Sequence, residues 1–179
     1  MNDSQMWGPG KVWKTKAAFL GWIRGGVRRA LWNRSPVKIS FMKNNRKRIN
    51  KTVKGKPSTV WGGDCSICKK TFSSISLEVD HKKGGHSLRE VSDIQKFIEG
   101  IVFVEEKDLQ FVCKPCHKTK SYAEKSGISF ERAWIQKRAI EIQKGDDKLW
   151  IEEQGRVPAT NAKLRREQII LILEETING

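Results

Sequence analysis

No stretch of this sequence is apolar for more than five residues, the longest being residues 169–173, whereas a membrane-spanning helix takes about 20. Residues 1–13 lack the apolar centre of a secretory signal. No membrane association is expected, and the expected location is the cytoplasm. Cysteine and histidine are scarce, at four and three, and asparagine is missing from residue 51 to residue 160. Without an export signal, four cysteines do not suggest a disulfide scaffold. Acid is also missing locally: Asp3 is the single carboxylate in the first sixty residues.

That local shortage explains the charge of the whole chain, which carries 35 Lys+Arg against 20 Asp+Glu, net +15. Residues 1–60 hold 15 basic residues and one acid, net +14, while residues 61–179 hold 20 basic and 19 acidic, net +1. A near-neutral body with a strongly basic arm is the footprint of a polyanion binder, and interleaved Trp and Arg favour nucleic acid. A solubilising or membrane-surface tail would have the same charge. With 179 residues, 37% of them hydrophobic, the chain suits one domain with extensions.

Periodicity divides the chain into a basic arm over 1–60, a centre over 61–125 and a helical extension over 126–179. Leu20, Ile23, Val27 and Leu31 recur at helical spacing, so a basic amphipathic helix is expected over about 15–32, capped by Thr15. Gly25 and Gly26 weaken it by about 1 kcal/mol each, so it needs a partner surface, protein or DNA. Residues 33–60 lack sustained periodicity and are expected to be a basic linker that orders on binding. Lys16, Arg24, Arg28, Arg29, Arg46, Lys47 and Arg48 are the arm's candidate DNA contacts.

In the centre, Ile75, Leu77 and Val79 alternate with polar residues, which predicts a strand ending at Asp80-His81. An inserted helix follows to Gly100, then a short strand over 110–112 and a helix from about Pro115. Residues 129–144 predict a helix capped by Ser129 with Phe130, Ala133, Trp134 and Ile140 inward. A last helix, about 162–176, is capped by Thr160 or Asn161, and its IILIL run suits burial against the body or another chain.

The cysteines fall as Cys65-x-x-Cys68 and Cys113-x-x-Cys116. Two residues between thiolates let one turn present both sulfurs to an ion, and two such turns complete a tetrahedral structural zinc site. Two disulfides or a redox pair are the alternatives. A zinc clip would also bring together what lies beside each pair, namely Asp80-His81 and His117. A zinc module with no other task has no need of them.

These residues resemble the HNH, or ββα-metal, nucleases, and among them phage-type members with two CxxC pairs. The matching segments are Cys65-x-x-Cys68, Glu78-Val-Asp-His81, Asp108-Leu-Gln-Phe-Val-Cys113 and Cys116-His-x-x-Lys120, within about residues 61–125. The resemblance implies an α+β fold, a small zinc-stapled ββα-metal core with added helices at both ends. It implies metal-dependent DNA endonuclease activity, nicking or cutting double strands, with Mg²⁺, Mn²⁺ or another divalent ion beside the structural Zn²⁺. His81 would be the general base, and Asp80 and His117 would bind the catalytic ion. Strict alternation aims Asp80 and His81 oppositely, so a bend is expected there, eased by Gly84-Gly85. Where the family usually has Asn, this chain has Asp108, whose role would be accessory. His86 would touch phosphate or lie solvated in a loop, and Lys120, one turn after His117, would contact phosphate. The implied partners are double-stranded DNA first, then a second copy of the chain or a phage packaging component, with a bacterial host cell as the setting. The rival expectation is a non-catalytic zinc-ribbon nucleic-acid-binding protein.

Overall fold

A computed structural model describes residues 6–53, 55–84 and 87–178. The chain is mixed α+β and its contacts divide it into two compact units, Met1–Lys114 and Pro115–Gly179.

The first unit opens with α1, Lys16–Ala30, whose N-cap Thr15 accepts from the Ala18 N–H at 3.1 Å. Its apolar stripe needs a partner and has one within the same unit. Phe19, Leu20 and Val27 bury with Leu88, Phe97 and Ile101, the last two from the inserted helix α3, Ile94–Val102. Trp7, Trp13 and Trp32 pack against this cluster, so these arm tryptophans serve the core, while Trp22 stays 57% exposed.

The expected linker over 33–60 is instead ordered. Ser35 caps α2, Pro36–Asn45, with Pro36 opening the helix where its missing N–H costs nothing. A hairpin follows, β1 Lys47–Val53 against β2 Lys56–Asp64, with register Val53↔Lys56 and Gly55 at φ +76° in the turn. Ile49, Thr52 and Val60 supply the β-branched residues that Pro and Lys obscure in the sequence. β3, Thr71–Ser73, joins the other side of β2 to give a three-stranded sheet in order β1-β2-β3.

A second, two-stranded antiparallel sheet pairs β4, Leu77–His81, with β5, Leu109–Cys113. The expected strand is thus shorter than its alternation: residues 74–76 form a 3₁₀ turn and Ile75 is 85% exposed. Directly opposed residues share a face, so Leu77, Val79 and His81 lie with Cys113, Phe111 and Leu109. Phe41 of α2 packs on Phe111 with ring centroids 5.0 Å apart, so the segment expected to be a linker covers that face.

α4, Lys114–Ser126, follows β5 without a loop and continues into the second unit. There α5, Phe130–Lys144, α6, Asp147–Glu153, and α7, Ala162–Asn178, bury Ala139, Ile151 and Ile169 together. Ser129 and Asn161 cap α5 and α7 as the sequence predicts. The inward residues of α5 are Ala133, Ile135 and Ala139, not Trp134, which is 44% exposed. α6 has no counterpart among the expected elements, because seven residues are too few for a periodic signal. Within IILIL, Ile169 and Ile172 are buried but Leu171 is 58% exposed, so α7 keeps a polar-side exit for one residue of the run. Among the described residues no helix is long and apolar enough to cross a membrane.

Candidate metal centre and strand-end residues

Cys65, Cys68, Cys113 and Cys116 converge as the sequence predicts, with their sulfurs all within 4.8 Å of one another. The local chain explains how. Residues 65–69 form a tight turn in which the Lys69 N–H donates to the Cys65 carbonyl at 2.9 Å, and Lys69 adopts φ 61°, a left-handed conformation that reverses the chain. The Ser66 N–H donates to the Phe111 carbonyl at 2.8 Å and fastens this turn to β5. The Cys113 N–H donates to the Cys65 sulfur at 3.3 Å.

The sulfurs of Cys68 and Cys113 stand 3.9 Å apart. A tetrahedron with metal–sulfur bonds of about 2.3 Å has sulfurs about 3.8 Å apart, so the spacing fits one zinc ion and is far too long for a disulfide. All four cysteines are free thiols. Burial pushes the Cys65 thiol up, but N–H groups of Cys113, Cys68 and Ile67 and the Cys68 thiol outweigh it and draw it down to about 7. Thiolate is the form that binds metal. Among the described residues this is the one group of three or more ligand-type side chains arranged to hold an ion.

Asp80 and His81 are the last two residues of β4, half-buried and paired in register with Gln110 and Leu109. Backbone pairing runs one bond further: the Lys82 N–H donates to the Asp108 carbonyl at 2.7 Å. Asp80 Oδ2 and His81 Nε2 are both shielded from solvent. Gly85 and His86 lie outside the described residues, and with them the expected easing of a bend and the expected phosphate contact.

Sequence reasoning missed Trp32, whose ring stacks on the His81 imidazole with centroids 4.5 Å apart at 29°. Lys38 Nζ lies 4.9 Å from the same indole. Burial pushes the Lys38 ammonium down, and the Glu78 carboxylate partly offsets this. The available signal is a tryptophan just beyond a basic helix, but its contact is remote in sequence.

Asp108 ends a 3₁₀ turn, Glu106–Asp108, and its carboxylate accepts from the Glu105 N–H at 2.9 Å. With the carbonyl bond to Lys82, Asp108 ties the segment after His81 to the start of β5. His117 follows Cys116 in the first turn of α4, half-buried. Lys120, on the same helix, pairs with Glu124 at 2.6 Å.

The candidate DNA contacts divide by their partners. Lys16 pairs with Glu90, and Arg24 donates to the Leu88 carbonyl at 2.7 Å, so both tie α1 to the inserted segment. Arg28 and Arg29 are exposed at the end of α1. Arg46 and Arg48 lie over the ring of Trp61, at 4.2 and 4.9 Å from its centroid. Lys47 pairs with Asp64 at 2.6 Å.

Fold and site together define a mixed α+β chain with a four-cysteine cluster able to hold a metal ion such as zinc. Comparison with family models, with curated proteins and with solved structures finds no significant match. The resemblance to HNH nucleases therefore rests on the motif residues themselves.

Proposed function

We propose that the protein is a zinc-stapled, metal-dependent DNA endonuclease of the HNH type. The observation that carries this reading is the chain order around the cysteine cluster. A strand ending in Asp80-His81 pairs with a strand ending in Cys113, and a helix with His117 in its first turn follows directly. A cluster that served only to hold zinc would be complete with its four sulfurs.

In this reading Zn²⁺ is structural and holds Cys65, Cys68, Cys113 and Cys116. His81 accepts the proton of the attacking water, because a neutral imidazole is a competent base near neutral pH. Asp80 and His117 would hold Mg²⁺, Mn²⁺ or a similar ion through a carboxylate and an imidazole, and the ion would supply charge neutralisation at the phosphate and the departing 3′ oxygen. Trp32 fixes the plane of the imidazole. Asp108 positions β4 through the Lys82 N–H, and Lys120 contacts phosphate. The exposed basic residues of the first sixty, Arg28, Arg29, Arg46 and Arg48 among them, hold the DNA backbone.

The test is incubation of the zinc-loaded protein with supercoiled plasmid and Mg²⁺ or Mn²⁺. Nicked circles that appear only with the added ion support the reading. A single zinc, no second divalent site by titration, and an intact plasmid would instead favour a zinc-ribbon nucleic-acid-binding protein without catalysis.

A further inference from the structure

The part of the arm without periodicity in the sequence has the most distinctive surface in the first unit. Residues 46–64 contain six Lys or Arg and one carboxylate, Asp64, which pairs with Lys47 at the base of the hairpin. They form the β1–β2 hairpin, and its two faces differ. On one face Ile49 opposes Val60, both half-buried. On the other, Arg48 opposes Trp61, Asn50 opposes Thr59, and Thr52 follows, all of them exposed. Arg46 and Arg48 both rest on the Trp61 ring, which holds two guanidinium groups in place without neutralising either.

An exposed strand face of Arg, Asn and Thr without any carboxylate has the donors and acceptors that base edges offer partners to, and the flanking cations suit phosphates on either side. Width decides which groove. Paired strands are about 4.8 Å apart, and with side chains they match a B-DNA major groove about 12 Å wide, not a minor groove about 6 Å wide. The major groove of A-form RNA is too deep and narrow to be read this way. Helix α1, the sequence's first candidate, is partly committed elsewhere: its apolar stripe is core, Lys16 is paired with Glu90, and Arg24 is held by the Leu88 carbonyl, which leaves Arg28 and Arg29 exposed at its end.

We propose that the β1–β2 ribbon, led by Arg46, Arg48 and Asn50 around Trp61, docks in the major groove of double-stranded DNA. The proposal takes from the proposed function only that the partner is DNA. Binding is measured with the full zinc-loaded chain, without added divalent ion so that nothing is cut. The probes are a labelled mixed-sequence DNA duplex of about 30 base pairs and the matching RNA duplex.

Three results are expected. Arg46→Gln/Arg48→Gln/Lys56→Gln weakens DNA binding at least tenfold and lowers the salt slope of log K by about 2 to 3, near 0.9 for each phosphate no longer neutralised. Removing three charges from the second unit, Lys118→Gln/Lys125→Gln/Lys144→Gln, changes affinity less than threefold. Methyl green, a major-groove ligand, displaces the protein, netropsin in the minor groove does not, and the RNA duplex binds at least tenfold more weakly. Because the arginines also brace Trp61, Asn50→Asp/Thr59→Glu provides a second variant at exposed positions, checked for an unchanged melting temperature and zinc content. Its affinity also falls at least tenfold. Unchanged affinity and slope in the well-folded variants, displacement by netropsin, or equal binding to RNA each overturn the proposal. A ribbon that binds as described in a protein that never nicks leaves this inference standing and removes only the nuclease reading.

Discussion

The Cys65 sulfur receives N–H groups from Cys113, Cys68 and Ile67, and these outweigh its burial. In the metal-free protein its folded value, about 7, lies below the ordinary value of 9.0. The thiolate therefore stabilises the fold fully above about pH 9, and that contribution is lost as pH falls through about 7. Unfolding of the metal-free protein followed across that window should show the slope, and Cys65→Ala should flatten it. With metal present, Cys113→Ser should lower bound zinc from one per chain to near zero and lower the melting temperature. His117→Ala should leave the zinc content unchanged, since the four sulfurs already complete the tetrahedron. The cysteine spacing makes these ligands legible in the sequence. Trp32 is not legible, because its stack on His81 joins residues far apart in the chain, and no local period encodes such a contact.

At the scale of elements, the sequence reads well where a period is long and uninterrupted. α1, α5 and α7 and their caps are predicted, and so is the strand end at Asp80-His81. It reads poorly over 33–60, where Pro36 and Pro57 and a run of cations hide a helix and a hairpin. Tertiary packing settles those elements: Phe41 lies on Phe111, and Gly62 lies under Ile49. A β-carbon at Gly62 would overlap the Phe72 carbonyl oxygen and sit 2.6 Å from Ile49 Cδ1. Gly62→Ala should therefore cost about 1 to 3 kcal/mol in urea unfolding, because strand backbone cannot yield as a flexible side chain does. In the second unit, Arg165 of α7 bonds Asp147 of α6 at 2.8 Å, with both side chains little exposed. Arg165→Met should lower stability by about 3 kcal/mol, since the carboxylate would stay buried without its cation. The double substitution Arg165→Met/Asp147→Leu should recover much of that loss.

For the molecule as a whole, charge is divided unevenly, with net +14 in residues 1–60 and net +1 in the remainder. Folding sorts that arm further. Part of it is engaged within the first unit: Trp7, Trp13 and Trp32 pack on the core, and Lys16 and Arg24 tie α1 to the inserted segment. The exposed remainder includes Lys11, Lys14, Arg28, Arg29, Arg34, Lys43 and the described basic residues of the hairpin. If about six phosphates are neutralised, log K should fall with log salt at a slope near −5, and a salt-insensitive complex would exclude backbone binding. The most direct test of the central claim is the rate of nicking of supercoiled plasmid by the parent and by His81→Ala at matched zinc content, with Mg²⁺ or Mn²⁺. The parent should nick, and the variant should be at least a hundredfold slower. A folded variant that cuts as fast as the parent would contradict the claim, as would a parent that leaves the plasmid intact with every divalent ion tried.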